Sequence, residues 1–469
     1  MLNKYTPIHA DAGAGAGAGA LTDTDALTCA EARAHALAPF DIGEAQRNQP
    51  DPAFIEQMRT RFPTEREIDA MLTRKMQRRS GPPFQTLTLT QISTCLTEFL
   101  RAHLDRPFEI TDQRWLAGGA SKIQMGFTLH CHGSPHGATL GGDVGGARSQ
   151  SAASSVAPSA LRPETRSATR LVIRMEPSES MNSTSRLREF QMLKAFAGTL
   201  PVPEVFWIDE HGRWFPEPAL IYAFAAGVTK PRALQGGQIS GTGTNFGPEL
   251  RRRLAPQFVD TLAGIHRFDY SGANLSAFNQ PSVGSSDTNL WQLNRARRVW
   301  EEDRGEDIPL VEVAANWLER NLPILDDVSV VHGDYRSGNF LFNETDGQIT
   351  AVLDWERASL GDRHRDLAWA AAYPFGHFAE DGKTFLVCGL LPSEEFFERY
   401  EKASGFTLDP KRLKYFEIFN CYQLVVSTIA TGYRVVRMGK SHQDIVLAWA
   451  GAAGYSFAEP LRRALEEAL

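Results

Sequence analysis

"VVHGDYRSGNFLFNETDGQITAVLDWE", residues 330–356, places short β-rich runs on either side of a turn signal and hangs polar groups on their ends. "FLFN" at 340–343 and "ITAVL" at 349–353 flank "ETDGQ", in which Asp346-Gly347 is a strong two-residue hairpin signal. With those two residues as the loop, Asn339 faces Asp354 directly across the antiparallel pair. Opposed residues carry their Cβ atoms about 5 Å apart on one face, so the hairpin is expected to present an amide and a carboxylate side by side. Oxygen donors of this kind suit Mg2+, which takes few protein ligands and completes its shell with water and phosphate oxygens.

Working outward, His332, Asp334 and Asn339 follow the apolar run "VSVV" at 328–331. Their H-x-D-x-x-x-x-N spacing is that of a phosphotransfer catalytic loop, in which the aspartate accepts a hydroxyl proton and the asparagine holds a metal. A later aspartate holds metal on the nucleotide phosphates. Asp334 is therefore the candidate base, and Asn339 and Asp354 are the candidate metal ligands. Arg336 is placed either to reach the transferring phosphate or to form a salt bridge within the loop. His332 is expected to hold the loop by hydrogen bonds.

The longer stretch "VVHGDYRSGNFLFNETDGQITAVLDWERASLGDRHRDLAW" resembles the core of the aminoglycoside phosphotransferase and choline kinase-like family, relatives of the protein kinases. It is most similar to the branch that includes the kinase-like domains fused to some acyl-CoA dehydrogenases. The resemblance implies an α+β, two-lobed fold, with a small antiparallel-sheet N-lobe and a larger, mainly helical C-lobe. It implies ATP and Mg2+ as cofactors and a small-molecule hydroxyl as acceptor, aminoglycosides or hydroxylated acyl and coenzyme A compounds being the two classes this family and branch suggest.

The same resemblance assigns roles upstream. "LAGGASK" at 116–122 is similar to the nucleotide loop, with Gly118, Gly119 and Ser121 beside the phosphates. Arg174, ending the run "LVIRM", stands where related kinases commonly carry a phosphate-binding lysine, with Glu189 as its helix carboxylate. "ALIYAFAAG" is the implied hinge, its backbone near Tyr222 to Phe224 meeting the adenine. Arg363 departs from the family's usual proline. Asp362 and Asp366 are expected to start a helix near Leu367.

Residues 1–50, with "GAGAGAGAGA" and few large apolar groups, are expected to be a mostly disordered tail. Residues 51–105 read as a helical extension. Thr64 precedes Glu67 by three residues, a capping-box signature ahead of Ile68, Met71, Leu72 and Met76, and a second helix runs about Leu89 to His103. Their basic residues are expected on a solvated face, and a protein partner for this extension is left open. The kinase-like N-lobe is assigned to 106–227, with a flexible insertion at 133–168, and the C-lobe to 228–469.

A charge of -7 over 469 residues gives no reason to expect a nucleic-acid or anionic-membrane surface. No membrane span or secretory leader is indicated, and five scattered cysteines suit a reducing, cytoplasmic setting. Competing readings are an aminoglycoside-type antibiotic kinase, a non-catalytic nucleotide-binding protein, and a metal-dependent hydrolase using His332, Asp334, Asp362, His364 and Asp366. An aminoglycoside, a polycation, needs carboxylates, for which "EED" at 301–303 and Glu394, Glu395 and Glu398 are the candidates, although solvated helix faces explain them as well.

Overall fold

Helix α1 (Pro52–Arg61) is capped by Asp51, whose carboxylate accepts the Phe54 N–H at 2.7 Å. It precedes α2 (Arg66–Arg78) and α3 (Leu89–His103) in the computed structural model, which describes residues 43–116, 122–131, 167–232 and 243–469. The described residues 43–49 belong to one unit and Pro50–Leu469 to another. Residues 43–48 are helical, which corrects the last stretch of the expected disordered tail; the rest of that tail lies outside the described residues.

The capping box sits one helix later than expected. Thr88 and Gln91 form it at the start of α3, whereas the N-cap of α2 is Glu65 and Glu67 accepts a hydrogen bond from Ser185 Oγ at 2.7 Å. Of the basic residues of α2 and its C-cap Arg79, Arg66, Arg74 and Arg78 are exposed as expected, but two depart from expectation. Lys75 and Arg79 are buried, with Lys75 Nζ 2.6 Å and Arg79 Nη2 2.7 Å from the Asp303 carboxylate, and Arg79 3.0 Å from Glu179. Burial alone would raise Asp303, but the charges of Lys75 and Arg79 outweigh it and hold this carboxyl well below its usual range. These partners lie 228 and 100 residues further along the chain, so local patterning could not reveal them.

Strands β1 (Phe108–Trp115), β2 (Ile123–Cys131), β3 (Ser167–Met175), β4 (Val205–Asp209) and β5 (Ala219–Ala223) form one antiparallel sheet in the order β1-β2-β3-β5-β4. Strand β3 begins at Ser167, so the expected insertion ends two residues early; its residues 133–166 lie outside the described residues. Alternation along β3 sends Leu171, Ile173 and Met175 into a core with Ile92, Leu96 and Phe99 of α3. The opposite face carries Arg174 toward α4 (Arg186–Phe196), which Ser185 caps.

The helical part comprises α5 (Gly247–His266), α6 (Asp287–Asp303), α7 (Pro309–Arg320), α8 (His364–Ala370), α9 (Ser393–Ser404) and α10 (Pro410–Val425), followed by a π-helical turn at Val426–Thr431. Phe258 and Leu262 of α5 pack with Tyr335, Phe340 and Trp355, so the quoted stretch lies in a core. After β5 the chain crosses this region tightly. Val228 pairs with Phe342, and a Cβ on Gly227 (φ +137) would meet Thr350 Oγ1 at 2.8 Å. The architecture is α+β: an antiparallel-sheet lobe followed by a helical one.

Candidate active site

The loop at 332–339 is held from below by one buried carboxylate. Asp366 accepts the His332 N–H at 2.6 Å and the Gly333 N–H at 2.8 Å, while His266 Nε2 lies 3.2 Å from it. Helix α8 starts at His364, so Asp366 lies in its first turn and anchors the loop instead of starting the helix. Gly333 takes φ +79, and a Cβ there would lie 2.6 Å from Arg357 O. The Leu353 carbonyl lies 3.0 Å from His332 Nε2, and His332 Nδ1 accepts the Asp334 N–H at 3.2 Å. Burial lowers both His266 and His332, with Asp366's charge pulling the other way. His332 is a neutral brace.

Asp334 is thereby aimed by three donors. Oδ1 accepts from Arg336 Nε at 2.9 Å and from Trp369 Nε1 at 2.7 Å, and Oδ2 accepts from Asn339 Nδ2 at 2.8 Å. Arg336 therefore makes the salt bridge within the loop, its guanidinium 5.2 Å from the Phe375 ring centre. Asn339 Nδ2 also donates to Asp334 O at 2.8 Å, which leaves its Oδ1 as the available ligand atom.

The hairpin register differs from the expected one. Strands β7 (Phe340–Phe342) and β8 (Ile349–Val352), which follow β6 (Ser329–Val331), pair Phe340 with Val352. Asn343 pairs with Gln348, so residues 344–347 form a four-residue loop, and the register shifts again between Leu341 and Phe342. Asn339 consequently faces Leu353, whose N–H donates to Asn339 O at 2.7 Å, and not Asp354. Asp354 leaves the strand in a left-handed conformation, φ +67.

Arg174 gathers the other half of the site. Its Nη2 pairs with Asp354 and, at 2.6 Å, with Glu356, while its Nε lies 3.5 Å from Glu189. Lys122 and Arg186 approach Glu356 as well, each at 3.4 Å. Burial would raise Glu356, but Lys122, Arg174 and Arg186 hold it well below its usual range. Asp354 moves the other way: burial raises it, Arg174 opposes, and the charges of Glu356 and Asp334 add to the rise. The Asp354 carboxylate and the Asn339 amide oxygen are hard-oxygen donors of the kind Mg2+ takes.

The hinge is partly committed already. The Ala223 N–H donates to Glu204 O at 2.7 Å and the Phe224 N–H to Arg170 O at 2.9 Å, so neither is free for a base. Tyr222 is half-buried on β5, and the Phe224 ring lies 4.0 Å below the Arg170 guanidinium. Gly118, Gly119 and Ser121 lie outside the described residues.

A model of the phosphotransferase enzyme family matches residues 158–414, more than half of the chain. The chain belongs to this family. Acyl-CoA dehydrogenase family member 10 of Mus musculus is 27% identical over 242 residues, 49% of this chain and 21% of that one. The chain thus spans about a fifth of that relative's length. Aminoglycoside 3'-phosphotransferase of Streptomyces fradiae is 27% identical over 172 residues, 37% of this chain and 56% of that one. A Ralstonia eutropha structure, solved as a candidate aminoglycoside phosphotransferase, aligns over 80% of this chain and 98% of its own at 21% identity and a TM-score of 0.53. The shared fold is the two-lobed, protein kinase-like one.

Within this phosphotransferase-family site, sequence reasoning missed Trp369, Lys122 and Arg186 and misjudged Asp366. Lys122 closes the quoted glycine loop and starts an apolar strand, a signal that could have been used. Trp369 carried none, since nothing in "DLAW" distinguishes an indole that donates to a carboxylate from one that fills a core.

Proposed function

We propose that the protein moves the γ-phosphoryl group of ATP to a hydroxyl of a small molecule, with Asp334 as base. The observation that carries this reading is the triply held Asp334 beside the Arg174, Asp354 and Glu356 group. Donors from Arg336, Asn339 and Trp369 orient the carboxylate so that it accepts the acceptor's proton. As the bond from the acceptor oxygen to the γ-phosphorus forms, the bond from that phosphorus to the β-bridging oxygen breaks, and ADP leaves. Arg174 and Lys122 offer positive charge to the phosphates. Asn339 and Asp354 would hold Mg2+, which supplies charge neutralisation on the nucleotide when bound.

For the acceptor we infer a hydroxylated acyl or coenzyme A-type metabolite, supported by the similarity to acyl-CoA dehydrogenase family proteins. An aminoglycoside is the alternative, supported by the similarity to an aminoglycoside phosphotransferase. It finds little carboxylate at 301–303, because Glu302 and Asp303 are fully buried among Lys75, Arg79 and Arg298. Acceptor-dependent ADP release across hydroxyacyl compounds, choline-like alcohols and aminoglycosides tests the reading, with Asp334→Asn as control. Release that persists in the control, or nucleotide binding with no acceptor response, opposes catalysis by this group.

A further inference from the structure

The segment that precedes the sheet grips both lobes. Glu65, the N-cap of α2 and only 3% exposed, accepts Arg188 Nη1 at 2.6 Å and Nη2 at 3.3 Å, and on its other side the Gln292 amide of α6 at 3.3 Å. Two residues on, Glu67 accepts the Ser185 hydroxyl at 2.7 Å, and the same hydroxyl caps α4. At the far end of α2, Arg78 donates to Glu217 at 2.9 Å, while Arg79 joins Glu179 to Asp303 of α6. The sheet lobe and the helical lobe are therefore bridged by charges that belong to neither.

Arg188 is where this bridge touches the reaction centre. Its Nη2 also donates to Ala358 O at 3.0 Å, four residues after Asp354, and its guanidinium lies 4.0 Å from the Phe278 ring centre. The next residue of α4, Glu189, lies 3.5 Å from Arg174 Nε, and Arg186, two residues earlier, reaches Glu356 at 3.4 Å. One guanidinium thus connects the extension, the helix behind Arg174, and the segment that carries Asp354 and Glu356.

Arg188 is as buried as Glu65, and Glu65 is the carboxylate that balances it. Without that charge the guanidinium would stay buried against carbonyl oxygens, a state costly enough to move the helix that bears it. Any such movement of α4 carries Glu189 away from Arg174 and slackens the hydrogen bond to Ala358 O in the same step. Positioned charge loses its effect over displacements of about 1 Å. In kinase-like folds the strand cation must sit against its helix carboxylate for phosphoryl transfer.

We propose that Glu65 is a positioning residue of the phosphotransfer site: acting through Arg188, it fixes α4 and residues 354–358 so that Arg174, Asp354 and Glu356 stand where the nucleotide needs them. The N-terminal extension is then a working part of the site and not a helical appendage. The inference deepens the phosphotransferase reading and rests on it for the reaction, while binding of nucleotide does not need turnover.

Calorimetric titration of full-length wild type, Glu65→Gln and Lys75→Met with AMP-PNP and Mg2+, beside urea midpoints for each, tests it. Lys75→Met removes a buried ion pair of the same helix, but its partners Glu302 and Asp303 lie on α6, so it loosens the fold without releasing Arg188. Glu65→Gln should bind AMP-PNP about tenfold or more weaker than wild type, and Lys75→Met like wild type. With an acceptor that supports ADP release, KM for ATP should rise in Glu65→Gln while KM for the acceptor holds. Arg188→Lys keeps a cation beside Glu65 but cannot also reach Ala358 O. It should show the same weakening, and it serves if Glu65→Gln fails to fold.

Glu65 and Arg188 variants that bind AMP-PNP like wild type, or a Lys75→Met variant that weakens binding as much as they do, overturn the positioning role. Weakened binding confined to the Glu65 and Arg188 variants, with no ADP release from any acceptor in wild type, keeps the positioning role at the nucleotide site and overturns the phosphotransferase reading. ADP release by wild type, with the same KM for ATP in Glu65→Gln, keeps the transferase and overturns the positioning role.

Discussion

Replacing Asp366 by asparagine removes the charge on which the catalytic loop hangs while keeping the side chain's shape. The native carboxylate takes backbone N–H groups at 2.6 and 2.8 Å and has His266 at 3.2 Å, all out of water. Hydrogen bonds to a charged partner contribute about 1.5–3 kcal/mol each, and a buried donor left unsatisfied costs about 1–3 kcal/mol. Asparagine retains one acceptor oxygen and turns an NH2 group toward the other backbone N–H, so one strong bond is lost and one donor is orphaned. The expected cost is about 3–5 kcal/mol, within the range for breaking a buried charged interaction. That is a large fraction of the roughly 5–15 kcal/mol that a domain commands. Urea denaturation at neutral pH measures it from the midpoint at unchanged slope. A loss below about 1 kcal/mol, with turnover intact, would refute the claim that this carboxylate organises the loop.

Gly333→Ala should strike function harder than stability: a left-handed residue costs about 1–2 kcal/mol, but the new Cβ, 2.6 Å from Arg357 O, must push the loop and Asp334 aside. Comparing turnover with melting temperature checks this, and a variant that turns over normally contradicts it. Stability should fall as pH drops below about 6.5, because the unfolded chain then protonates His266 and His332 while burial keeps them neutral in the native state. Sign and window follow together: this contribution is fully present above about 6.5 and is lost at up to about 1.4 kcal/mol per pH unit per histidine below it, so urea midpoints that stay level from pH 8 to 5 oppose it. Lys75→Met should cost about 3–5 kcal/mol by leaving Asp303 and Glu302 short of a buried cation, measured again by urea denaturation.

The chemistry was legible where it depended on residues close in sequence. Asp334 and Asn339 are five apart, and the loop between them brings both to one carboxylate-centred cluster. The sheet was legible too, since alternation in "TRLVIRM" marked β3 and put Arg174 on the face away from Leu171 and Ile173. The hairpin was misread because Asn343 adds its own turn: its Oδ1 accepts the Thr345 N–H at 3.0 Å, lengthening the loop beyond Asp346-Gly347. The buried ion pairs of α2 were hidden for a different reason. A basic residue looks solvated until the fold brings up carboxylates 228 residues away, as for Lys75.

The central claim is that Asp334 serves the transfer and not the binding of nucleotide. Following phosphorus resonances of a reaction with ATP, Mg2+ and an acceptor, beside AMP-PNP titrations of wild type and Asp334→Asn, tests both halves. The account predicts a new phosphomonoester signal from wild type alone, with AMP-PNP affinity alike in the two proteins. A phosphomonoester formed equally well by Asp334→Asn would contradict it.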